Sequence, residues 1–229
     1  MLYTKPVRRL IHHLVSIYNY ALKLRKPHMK TGINLLIISC LILLTGCVSH
    51  LTTNELEEIR SVGVINEFPE NPNLTIIGTT IFNNSHDEVK DPSIKKLIST
   101  EVISKIKSRG YTVTEISDQK LAKEFDLIIV IIPRDIYGMP ATNGYGFYRR
   151  AMLNVKAFEG TYVALNLMPK KNGRSRCDTC FGKSLTALTI AEPTEKWSEI
   201  DDSDKVKIIE SLRHGIKIAV ESAFENTGF

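Results

Sequence analysis

Cysteine is scarce in this chain: there are four in 229 residues, at positions 40, 47, 177 and 180. That is too few for a disulfide-dense miniprotein. The 13 Gly and 9 Pro follow no period, which excludes collagen, and 43% hydrophobic content excludes a disordered tail. Acidic residues are missing altogether from positions 1–46, where seven basic ones stand (Lys5, Arg8, Arg9, Lys23, Arg25, Lys26, Lys30). The other 183 residues therefore carry 23 Lys+Arg against 25 Asp+Glu, a net of −2. A body without cationic excess has no means of holding many phosphates, so nucleic acid is not an expected partner.

Catalytic patterns are also wanting. No Ser-His-Asp order stands out, and there is neither a phosphate-binding glycine loop nor an H-E-x-x-H pair. Beyond the leader the histidines are His50, His86 and His214, none in a paired motif. A zinc site built on two cysteines would need two further ligands. His86-Asp87-Glu88 reads as a polar turn, and Asp201-Asp202-Ser203-Asp204 as the acidic start of a helix rather than a calcium loop. The expectation is a non-enzymatic protein with no catalytic residue, no metal and no cofactor.

What is present begins with Met29-Lys30-Thr31-Gly32, the apolar run Ile33 to Leu44, and Thr45-Gly46-Cys47. A basic start, a short apolar run and small residues before a cut are the parts of a secretory signal. Twelve helical residues rise about 18 Å, well short of a hydrocarbon core of roughly 30 Å. Asn34 and Ser39 within the run also weigh against a permanent span.

Leu44-Thr45-Gly46-Cys47 resembles the bacterial lipobox. The resemblance implies cleavage between Gly46 and Cys47, lipidation of the Cys47 sulfur and acylation of the new amino terminus. Two or three acyl chains hold a membrane durably where one does not. Because Val48 rather than Asp follows the cysteine, the resemblance also implies the outer membrane, with the body lipid-anchored on its periplasmic face. Residues 1–28 lie upstream of a serviceable start at Met29 and are read as an over-long gene model or an extended leader. Residues 29–46 form the signal peptide, 47–60 a tether, and 61–229 one periplasmic domain.

That domain reads as α/β (α+β): a single-domain sandwich in which helices pack a mixed sheet. Ser61 to Phe68 and Leu74 to Phe82 are rich in β-branched residues, as strands are. Asp91-Pro92 starts a helix whose Ile94, Leu97, Ile98, Val102 and Ile106 recur at helical spacing. Tyr111 to Ile116 alternates as a strand, Asp118 to Phe125 suits a short helix, and Leu127 to Ile132 is apolar throughout, as a central strand would be. Ala151 to Phe158, Thr161 to Met168 and Phe181 to Ile190 follow as strands, with Asn172-Gly173 marking a hairpin. Ser203 to Asn226 closes the chain as a long helix. In element order this is similar to small periplasmic lipoprotein domains of the penicillin-binding-protein-activator and curli-secretion types.

Two constellations remain as candidate sites. In an exported compartment Cys177 and Cys180 are expected to form a disulfide; the alternative is an exported thiol-redox couple aided by Arg174 and Arg176. The connection from Asp135 to Arg150 holds Tyr137, Tyr145, Phe147, Tyr148, Arg149 and Arg150 among three Gly and one Pro. Aromatics and arginine are the residue types of interface hot spots. The expected function is capture of an envelope protein through this loop, as an accessory or assembly factor. A small-ligand-binding lipoprotein using the loop as a lid is the further alternative.

Overall fold

The computed structural model describes residues 51–80, 83–117, 119–152, 155–177, 180–191 and 195–227. Its elements are α1 (Thr53–Glu58), β1 (Ser61–Asn66), β2 (Asn73–Ile77), β3 (Ser85–Glu88), α2 (Ser93–Ser108), β4 (Thr112–Glu115) and β5 (Leu127–Pro133). Then come β6 (Tyr145–Met152), β7 (Val155–Lys171), β8 (Arg174–Ser175), β9 (Phe181–Ala187) and α3 (Asp202–Thr227). Short 3₁₀ turns stand at Gln119–Glu124 and Trp197–Glu199. The sheet is mixed, in the order β3-β2-β6-β7-β5-β1-β4, with β8 and β9 also on β7. The expected α+β class is what the chain forms.

β7 is the spine. Along one edge it pairs antiparallel first with β6 and then with β5. Ala164 marks the junction: its N–H donates to the Gly144 carbonyl (2.6 Å) and its carbonyl accepts from the Arg134 N–H (3.0 Å). Both groups of one strand residue point to the same edge. The β6-β2-β3 arm and the β5-β1-β4 arm therefore leave β7 from one side, end to end, while β9 and β8 take the other side.

Alternation along β7 sorts its side chains. Val163, Leu165 and Leu167 enter the main core with Ile94, Ile98, Val102 and Ile106 of α2 and Ile208, Leu212, Ile216 and Ala219 of α3. Tyr162 and Ala164 face the other way, packing with Ile136 and Tyr148. Ile65, Ile116, Ile128 and Val130 form a third cluster, covered by Ala122 and Phe125. α3 lies so close on β9 that a Cβ at Gly182 would collide with the Ala219 carbonyl. The Asn172-Gly173 turn has φ of +52° and +74°, the pattern of the tight hairpin expected there.

Five expectations need correcting in detail. Leu127–Pro133 is indeed buried over its first five residues, but it flanks the centre, which is β7, the strand that pairs with four others. The second strand stops at Ile77, where the Gly78 N–H turns to the Asn84 side chain. His86-Asp87-Glu88 is strand rather than turn: β3 pairs with β2, and Asp87 accepts the Trp197 N–H at 2.7 Å. Tyr145 to Arg150, expected in a connection, is strand β6. Within the expected 47–60 tether, Leu51 and Ile59 are buried in the core, so the chain is packed from Leu51 onward.

Gly182→Val should cost about 2 kcal/mol or more, in the range of overpacked cores. Urea unfolding measures it: the midpoint should fall at unchanged slope. An unshifted midpoint would show that α3 does not bear on β9 as described.

Candidate interaction site

The link from β5 to β6 leaves and re-enters the sheet at one point. Arg134 and Gly144 form its neck, the Gly144 N–H donating to the Arg134 carbonyl at 3.0 Å. Between them the loop is held from within and from below. Thr142 is buried; its Oγ1 accepts the Ile136 N–H (2.9 Å) and donates to the Met139 carbonyl (2.8 Å). Asn73 Nδ2 donates to the Asn143 carbonyl (2.9 Å) and to the Tyr162 hydroxyl (3.1 Å). Burial pushes the Tyr162 phenol up to about 12, so it stays a neutral donor and acceptor under the loop. Ile136 plugs the underside while Tyr137 beside it is fully exposed.

The six residues expected to act together are therefore dispersed. Tyr145, Phe147 and Tyr148 are fully buried strand residues. Tyr145 packs edge-on against Phe68 at 5.1 Å and donates its hydroxyl to the Pro69 carbonyl. Arg149 faces the buried carboxylate of Glu159 at 3.5 Å, and Glu159 also accepts the Ile190 N–H at 2.8 Å. Arg150 reaches back to the Gly138 carbonyl at 3.4 Å. Only Tyr137 of the set presents a free aromatic face. Truncating the three buried aromatics would remove core, not contact.

Around this loop lies the sheet face that carries neither α2 nor α3. Ile77, Met139, Phe158 and Phe181 are half-buried there against Tyr148, Tyr162 and Ala164. Leu185 on β9, opposite Tyr162, is 46% exposed. The outer edge of β9 meets no other strand among the described residues. Asn166, opposite Phe181, buries both side-chain polar atoms without a hydrogen-bond partner. Nothing in the sequence marked this face, because its polar and apolar residues come from four strands.

Cys177 and Cys180 are bonded, with Cα atoms 5.9 Å apart. Both belong to the main core and are essentially inaccessible, and Cys180 Sγ lies 3.6 Å from the Asn226 carbonyl of α3. The bridge closes the chain where β8 hands the β7 edge to β9. An exchanging thiolate would need access to sulfur that this packing withholds. Among the described residues no three His, Cys, Asp or Glu side chains gather to hold a metal. In the 201–204 stretch, Asp201 accepts the Ser203 N–H (2.8 Å), as helix-start residues do, and Asp204 ties the helix back to the preceding segment by accepting the Ala191 N–H (2.9 Å).

A third region is where the described chain begins. Thr52 and Glu55 form a capping box for α1. Glu55 pairs with Arg176 (2.6 Å) and Glu58 with Lys171 (2.7 Å), strapping α1 to the β7–β8 hairpin. Asp126 accepts the Arg60 and Ser61 N–H groups, each at 2.9 Å, which holds its carboxyl below the usual range. A cleft of about 450 Å³ opens beside α1, lined by Leu56, Arg60, Arg109 and Tyr111 among others. The lipobox residues Gly46 and Cys47 lie outside the described residues. No helix among the described residues is long and apolar enough to cross a membrane.

No protein-family model matches the chain, and no curated protein matches it in sequence. Among solved structures it is similar to a PelC dodecamer from Paraburkholderia phytofirmans, at 10% identity over 72% of this chain and 90% of that one, with a TM-score of 0.30. A likeness of that size decides nothing about function.

The burial of the bridge sets an expectation for its chemistry. Its reduction potential should lie below about −300 mV, as for structural disulfides, and replacing both cysteines by serine should cost about 2 kcal/mol with the fold retained. Equilibration against glutathione buffers measures the potential. A value well above that limit would revive the redox alternative.

Proposed function

We propose that this chain is a lipoprotein precursor, cut between Gly46 and Cys47 and lipidated on Cys47. Its 183-residue mature part is anchored on the periplasmic face of the outer membrane, where it binds another envelope protein as an accessory or assembly factor. The observation that carries this reading is Leu44-Thr45-Gly46-Cys47 directly after a 12-residue apolar run.

The structure supports the binding part through the loop between β5 and β6. Its neck, its internal Thr142 bonds and its contact with Tyr162 hold Tyr137 out on a fixed support. A loop backbone held this way has little left to order on binding, so the cost falls on the Tyr137 side chain alone. The half-buried apolar face and open β9 edge beside it offer further area to a protein surface. The motif concerns location and the loop concerns partner, so the two parts fail separately.

A photo-crosslinking amino acid at position 137 of the full chain, in living cells, tests the partner. A discrete adduct with one envelope protein is expected at 137 and not at a control position such as Lys96 on α2. Tyr137→Ala should weaken co-purification of that protein while changing stability by less than about 0.5 kcal/mol, as exposed substitutions do. Equal labelling at 137 and at the control would contradict the reading.

A further inference from the structure

We infer that one end of the domain docks on the anionic phospholipid headgroups of the leaflet that holds the anchor: the end formed by α1, the last turn of α2 and the β7–β8 hairpin. The inference rests on the lipoprotein reading and adds an orientation to it.

Chain length supplies the first constraint. Leu51, where the chain is already buried in the core, is four residue steps from Cys47. At 3.3–3.6 Å per residue they reach about 14 Å at most. That is less than two Debye lengths of about 8 Å at physiological salt, so this end cannot leave the field of the headgroups. Nor can α1 swing as a hinge. Ile59 is buried, Leu56 packs on the core, and the Glu55–Arg176 and Glu58–Lys171 pairs fix the helix to the hairpin. A domain entered so close to the bilayer and held so firmly has one end facing it.

Charge supplies the second. Arg60, Lys107 and Arg174 are exposed at this end and Lys170 is half-buried, and none has a carboxylate partner among the described residues. Arg109 stands over the Phe224 ring at 5.0 Å and lines the cleft beside α1 with Arg60. Much of the nearby acid is already engaged: Glu55 and Glu58 in ion pairs, Glu221 with Lys105, and Asp126 with backbone N–H groups, which leaves Glu57 as the exposed carboxylate of α1. The parallel strands β1 and β5 start here, and their far ends lead into Glu67, into Glu70 paired with Lys95, and into Arg134 beside Asp135. A body with a net charge of −2 thus presents, at its anchored end, four cations that no carboxylate among the described residues neutralises. An anionic surface favours that orientation and opposes the reverse one. The Asn172-Gly173 turn, exposed between Lys171 and Arg174, is placed to touch first.

The acylated full-length product, carrying a fluorophore at Asn172→Cys or at Glu67→Cys, is incorporated into two kinds of vesicle: phosphatidylcholine alone, and phosphatidylcholine with 30% phosphatidylglycerol, a composition in the range where basic side chains feel an anionic surface. Flotation reads the anchor, and quenching by aqueous iodide reads the docking. The label at 172 should lose about threefold or more of its quenching in the anionic vesicles, and 0.5 M salt should restore it, as screening requires. The label at 67 should be quenched alike in both. Lys107→Glu with Arg174→Glu, both exposed, should abolish the effect without impairing flotation. Protein that floats but shows equal quenching at 172 in both vesicles overturns the docking and leaves the anchor standing. Protein that does not float overturns both.

Discussion

The backbone of Ala164 holds the two halves of this protein together. Its N–H closes on the strand that begins the β6 arm and its carbonyl on the residue that ends the β5 arm. Everything else in the fold follows from β7 being long enough, at 17 residues, to serve two arms on one edge and β9 with β8 on the other. Because its residues alternate, one face gives Val163, Leu165 and Leu167 to the helices, and the other gives Tyr162 and Ala164 to the loop. Slipping β7 by one residue would exchange the two sets and leave both faces mismatched.

The same junction explains the display of Tyr137. Arg134 and Gly144, which close the loop, are the residues bonded to Ala164 and to each other. The loop is thus an outgrowth of the sheet seam, closed by the three backbone bonds among Arg134, Gly144 and Ala164. The disulfide works on the opposite edge, where Leu167 donates its N–H to the Cys180 carbonyl between the β8 and β9 pairings. Asn226 at the end of α3 reaches the Phe181 carbonyl next to it, so the bridge also seats the last helical turn.

Much of the architecture was legible because burial imposes periods on sequence. α2 shows its stripe in Ile94, Ile98, Val102 and Ile106, and α3 in Leu212, Ile216, Ala219, Val220 and Ala223, in spite of Gly215; the first turn of that stripe reads as Ile209, whereas Ile208 is the residue fully buried. β5 announced burial on both faces by being apolar at every position. β3 was illegible: Ser-His-Asp-Glu has no apolar face, and it is a strand only because β2 offers an edge and Trp197 a donor. β6 was hidden by its neighbours. Gly138, Pro140 and Gly144 are loop residues, and their density masked the alternation of Tyr145 and Phe147 that follows. The length of β7 was cut in the reading by Gly160, which is tolerated in the strand because the Thr186 carbonyl comes too near for a side chain. Of the six residues expected in the loop, Tyr137 alone lies in it, and tertiary pairing puts the other five in β6.

The most direct test of the account is intact-mass and amino-terminal peptide analysis of the protein extracted from cell membranes. The account predicts a polypeptide whose first residue is Cys47, carrying thioether-linked diacylglycerol and a blocked amino group. A free amino terminus at any other residue, with the Cys47 sulfur unmodified, would contradict it.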